Sequence, residues 1–166
     1  MNFKKANYMK RALVLILWLL PFISMAQKTV FSGKWDLNLQ NTDFQQAPDW
    51  LFPKSIEIKQ KNDLIIIEAK IYDNQRLQHY YTETISFDGT TSETITYDNN
   101  KRMASLKWKE DNKSFVLSVR PVTAEDQSGP DFTETWSLEN DGKTLVVNRM
   151  ATQANDYNIK AYYDKK

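Results

Sequence analysis

The chain has 166 residues, with 22 Lys and Arg against 21 Asp and Glu, a single His and no Cys. Without cysteine there is no disulfide and no thiol chemistry, and His79 alone cannot supply a histidine-based zinc centre. The near-balanced charge lacks the basic footprint of nucleic-acid binders.

The first 26 residues read as an export signal. Lys4, Lys5, Lys10 and Arg11 form a basic start, Ala12 to Leu20 is apolar, Pro21 breaks the run, and Ser24-Met25-Ala26 offers small residues for cleavage. The apolar stretch to Ile23 is shorter than the roughly 20 residues of a membrane span, so the mature chain is expected to have none. No cysteine at the junction could take a lipid. Cleavage after Ala26 would leave 18 basic against 21 acidic residues, a net charge of −3, in a single domain over 27–166.

From Val30 onward the pattern is strand, turn, strand. Val30 to Gln40 places Trp35, Leu37 and Leu39 on one face. Asn41 to Pro53 is a long connection rich in apolar residues, and its prolines keep it out of a central strand. Lys54 to Gln60 carries Ile56 and Ile58, and Leu64 to Tyr72 carries Ile65, Ile67, Ala69 and Ile71 on a clean face. Arg76 to Phe87 is long enough to hold a bend near Gln78 or His79. Asp88-Gly89 predicts a hairpin, because Gly tolerates positive φ. Thr91 to Tyr97 follows. Arg102 to Trp108 alternates Ala104, Leu106 and Trp108; Ser114 to Arg120 alternates Phe115, Leu117 and Val119. A polar loop holds Ser128-Gly129-Pro130. Asp131 to Leu138, Thr144 to Ala151 and Tyr157 to Tyr163 complete the series.

About ten short strands joined by tight turns predict an all-β, antiparallel up-and-down meander of about 8–10 strands. It closes into a barrel, with a flattened or incompletely closed barrel as the alternative.

Gly33-x-Trp35-x-Leu37-Asn38 opens this series. Phe87-Asp88-Gly89 follows, and later Ser137 with Asp141-Gly142-Lys143-Thr144-Leu145. In order and spacing these resemble small exported lipocalin-like (calycin-type) barrels of unassigned function from Gram-negative bacteria. The resemblance implies that Gly33 and Trp35 form a structural signature at the closed end. It also implies that a late arginine, matched by Arg149, stacks on that Trp. The usual middle-loop motif, disulfides and C-terminal helix of transport lipocalins are not recognisable.

Two readings of the Asn41–Pro53 connection stay open. Trp50 and Phe52 line a ligand entrance, or they plug the barrel end. Glu83 shares a face with Tyr81, Ile85 and Phe87; Glu134 lies between Phe132 and Trp136; Arg149 follows Leu145 and Val147. Turned inward, these charges must pair with each other or meet a polar ligand group; otherwise they sit at a rim. Candidate ligand contacts are therefore Trp50, Phe52, Tyr81, Glu83, Trp108, Glu134 and Trp136. No nucleophile, phosphate loop or metal cluster accompanies them, so neither catalysis nor a cofactor is expected. The expected function is an exported (periplasmic or extracellular) barrel holding a small, largely apolar ligand in its interior. The alternative is an envelope protein-interaction or inhibitor module whose barrel is filled by its own side chains.

Overall fold

The computed structural model describes residues 28–45, 47–73, 76–125, 127–151 and 158–166. The expected export signal and Tyr157 lie outside them. Ten antiparallel strands run in chain order: β1 (Gly33–Leu37), β2 (Ser55–Gln60), β3 (Leu64–Asp73), β4 (Arg76–Ser86), β5 (Ser92–Ile95), β6 (Lys101–Trp108), β7 (Ser114–Val122), β8 (Phe132–Glu139), β9 (Thr144–Ala151) and β10 (Ile159–Lys165). They form one all-β meander that curls into a nearly closed barrel. No helix among the described residues is long and apolar enough to cross a membrane.

The sheet order is β4-β3-β2-β1-β10-β9-β8-β7-β6-β5. The first and last strands therefore pair, with Trp35 opposite Lys165 and Leu37 opposite Tyr163. The two ends of the sheet are β4 and β5, consecutive strands that the Asp88-Gly89 turn was expected to pair as a hairpin. The turn forms, with Gly89 at φ 85° and the Asp88 carboxylate accepting from the Thr90 backbone N–H at 2.8 Å. A ladder does not follow from it. The seam is crossed by a backbone bond from Tyr97 N–H to Tyr80 O (2.8 Å) and by the side chain of Glu83. A polar clasp replaces part of the missing ladder.

Alternation decides which side chains enter the barrel. Ile56 and Ile58, Ile65, Ile67 and Ala69, Ala104 and Leu106, Phe115 and Leu117, Leu145 and Val147, and Ile159 and Ala161 are all buried. The bend expected near His79 is a register shift: Ala69 pairs Tyr81 but Lys70 pairs His79, which leaves Tyr80 as the extra residue.

β1 is shorter than the pattern predicts, for a local reason at each end. Before Gly33, the Gln60 side chain takes the Phe31 N–H (2.9 Å) and donates to Thr29 O (3.0 Å), so this stretch crosses the barrel end without a ladder. After Leu37, the Asn38 side chain accepts from the N–H groups of Gln40 (3.1 Å) and Asn41 (3.0 Å) and turns the chain. Leu39 consequently points to solvent.

At the Gly33 end, aromatic rings fill the bore. Phe31 meets Phe115 at 4.8 Å and Trp108 at 5.9 Å, Phe87 meets Trp108 at 5.5 Å, and Phe115 stacks on Trp136 at 5.7 Å. Trp35 is fully buried beside them, its Nε1–H donating to Phe31 O. A Cβ on Gly33 would come within 3.0 Å of Lys165 Cε and 3.5 Å of the Trp35 indole nitrogen, at a φ of 153°. The closed end needs glycine there.

Candidate functional site

The opposite end of the barrel carries the long connections. Residues 38–45 and 47–54 fold back over it. Ala47 and Phe52 are buried, Phe52 against Phe44 with ring centroids 6.4 Å apart. Two barrel side chains fasten this segment by its carbonyls: Tyr163 Oη donates to Pro53 O (3.0 Å) and Arg149 Nη1 to Leu51 O (3.1 Å). Burial drives the Tyr163 hydroxyl well above its ordinary pKa, so it remains a donor.

Beneath this segment runs a chain of four charges. Glu83 on β4 is fully buried and accepts from Ser92 Oγ on β5 (3.1 Å) and Arg102 Nε on β6 (3.1 Å). Arg102 Nη2 lies 3.7 Å from Glu134 Oε2. Glu134 accepts from Trp136 Nε1 (3.1 Å) and from Arg149 Nε (3.0 Å) and Nη2 (2.6 Å). Neighbouring strands build the Glu134–Arg149 pair directly, since β8 and β9 place the two residues opposite each other. Burial alone would raise the Glu134 carboxyl. Arg149 and then Arg102, with the hydrogen bonds, outweigh it and hold the group below its ordinary pKa. The inward charges thus pair with one another.

Above the charges lies a cavity of about 560 Å³. Leu51 and Pro53 of the folded-back segment form one wall, Tyr80 and Tyr81 of β4 a second, and Val122, Pro130 and Phe132 a third. Arg102 and Arg149 supply the polar floor, each guanidinium also lying against rings: Arg102 5.1 Å from Tyr81, Arg149 4.2 Å from Phe52 and 4.4 Å from Phe132. Burial raises the Tyr81 hydroxyl far above its ordinary value, with the Arg102 charge opposing, so it is neutral at any working pH.

The expected site residues divide along the barrel axis. Tyr81 lines the cavity. Glu83 and Glu134 lie behind its floor, and Phe52 packs under the folded-back segment as a plug, while its neighbours Leu51 and Pro53 face the opening. The backbone of Trp50 lies in the 3-10 turn Asp49–Leu51; its side chain falls outside the described ones. Trp136 does not line the cavity; it lies below the charges, its Nε1–H donating to Glu134 and its ring stacked on Phe115.

Trp108 lies away from this cavity, at the closed end, where it pairs with Phe115 and belongs to the aromatic plug. One expectation is corrected. Arg149 does not stack on Trp35. It pairs in register with Ile159, whereas Trp35 pairs with Lys165, six residues and roughly 20 Å further along β10. The cation over the Trp35 ring is Lys165 Nζ, 5.2 Å from the centroid.

Arg102, which carries the middle of the charge chain, is not among the residues that the sequence singles out. Its signal was parity, since it shares the inward phase of Ala104, Leu106 and Trp108. Phe132 and Ile159 likewise belong to inward faces that the alternation already marked.

Among the described residues no cluster of three or more His, Cys, Asp or Glu is arranged to hold a metal ion. Compared with known proteins, the chain matches no family model and no curated protein.

Proposed function

We propose that this chain is an exported, lipocalin-like barrel that binds a small, largely apolar molecule at its open end. The observation that carries the reading is the cavity of about 560 Å³, within the range of about 300–1,000 Å³ typical of ligand pockets. Its walls are mostly apolar and its floor holds two fixed guanidinium groups, the mixture of apolar area and few placed polar groups that such pockets use. The binding volume is narrower than the whole interior, because the lower half of the barrel is occupied by Trp35, Phe115, Trp108 and Trp136. The export reading rests on the basic, apolar and small-residue segments of positions 1–26.

Nile red, an uncharged apolar dye, tests the site. It should bind with saturable one-to-one stoichiometry and a fluorescence rise. Ala151→Trp, at the cavity wall on β9, should weaken that binding at least tenfold with the melting temperature nearly unchanged. Equal binding by the variant would place the dye elsewhere and remove the support for this site.

A further inference from the structure

We infer that the polar end of the ligand is an uncharged hydrogen-bond acceptor, such as an amide, ketone or ester carbonyl, received by Arg102, and that carboxylates are disfavoured. This deepens the proposed binding function and rests on it.

The donor inventory selects Arg102. Arg149 commits Nε and Nη2 to Glu134 and Nη1 to the Leu51 carbonyl. Arg102, by contrast, spends its Nε–H on Glu83. Its Nη2 is 3.7 Å from Glu134, an ion-pair distance too long for a hydrogen bond. Arg102 lines the cavity and keeps four of its five N–H donors, against two of five on Arg149. A guanidinium has five such donors in a planar fork.

Charge balance selects a neutral partner. The two arginines of the floor are matched by two carboxylates, Glu83 and Glu134, both buried. At the rim, Asp131 is held by Arg120 through two bonds of 2.9 and 2.8 Å, and Lys101 is itself partnered. A ligand carboxylate would be a third buried acid facing two guanidinium groups already neutralised. It would pay desolvation and meet Glu83 and Glu134 at close range. A carbonyl oxygen accepts from Arg102 without altering the balance.

Displacement of Nile red from the full chain by decanamide and by decanoate, which share one alkyl length, tests this at neutral pH. Decanamide should displace the dye at a concentration at least tenfold lower than decanoate. Glu83→Gln, which leaves the floor with one positive charge in excess, should raise the affinity for decanoate at least tenfold; the wild-type comparison decides if that variant fails to fold. Decanoate binding as tightly as decanamide, or more tightly, overturns the inference and leaves the cavity reading standing. If neither displaces a dye that does bind, the inference is also overturned. If the dye itself does not bind, the proposed site has failed first.

Discussion

Replacing Glu134 by Gln isolates the energetic role of the buried charge chain. The substitution keeps the shape and an acceptor for Trp136 Nε1, but removes the charge that meets Arg149 at 3.0 and 2.6 Å and Arg102 at 3.7 Å. Two guanidinium groups, with side chains 9% and 15% exposed, are then left with Glu83 as their one floor carboxylate. Breaking a buried ion pair from one side costs about 3–5 kcal/mol, mostly as the penalty of the stranded charge. For a domain of this size, where each kcal/mol moves the midpoint by about 2–4 °C, that is a fall of roughly 10 °C. Urea denaturation followed by circular dichroism should show the lower midpoint with an unchanged slope.

The pH dependence has a definite sign. Burial pushes the Glu134 carboxyl up, but Arg149 and Arg102 hold its folded pKa below the ordinary 4.5. Its stabilisation is therefore complete above the unfolded pKa and is lost as pH falls through the folded one. The gap between wild type and Glu134→Gln should be constant from neutral pH down to about pH 5 and should close at lower pH. A gap under about 1 kcal/mol at neutral pH, or one that persists unchanged into acid, would refute the reasoning.

Other perturbations test separate parts of the barrel. Trp35→Ala should cost about 3–5 kcal/mol in urea unfolding, because a fully buried indole is removed from a packed end; a loss below about 1 kcal/mol would mean that the closed end is misassigned. In a double-mutant cycle, Glu134→Leu with Arg149→Met should lose less than the sum of the single losses, by about 1–3 kcal/mol; simple additivity would deny that the two charges are coupled. Gly89→Ala should cost about 1–2 kcal/mol through backbone strain alone, since φ is 85° and nothing lies within 4 Å of the added Cβ. A neutral result there would show that the turn relaxes. Glu83→Leu should speed hydrogen exchange of the Ser92–Ile95 amides more than those of β9, because it removes the clasp on the seam. Uniform acceleration of both strands would point to global destabilisation instead.

The strand faces could be read from the sequence because barrel strands obey a period of two. Ile65, Ile67 and Ala69, or Phe115 and Leu117, can satisfy it in only one way. The same logic puts Glu83, Glu134 and Arg149 on faces otherwise apolar, but leaves open whether they point inward or sit at a rim. It missed Arg102 because a basic residue at a strand's start also suits a solvated end, and pattern alone does not separate the two. The seam was not legible either. Asp88-Gly89 encodes the turn, but whether the flanking strands then pair depends on how far the whole sheet curls. Position along the barrel axis was the weakest element: alternation tells which side chains enter, not how deep. Alternation alone therefore groups Trp108 and Trp136 with Tyr81, although Trp108 lies in the aromatic plug at the opposite end.

The most direct test of the central claim is native mass spectrometry of the protein purified from the cells that make it. Binding at the open end predicts the protein mass plus one small neutral molecule, and Ala151→Trp prepared in the same way should carry none. A bare protein mass accompanied by a stoichiometric protein partner would contradict the account and favour an interaction module.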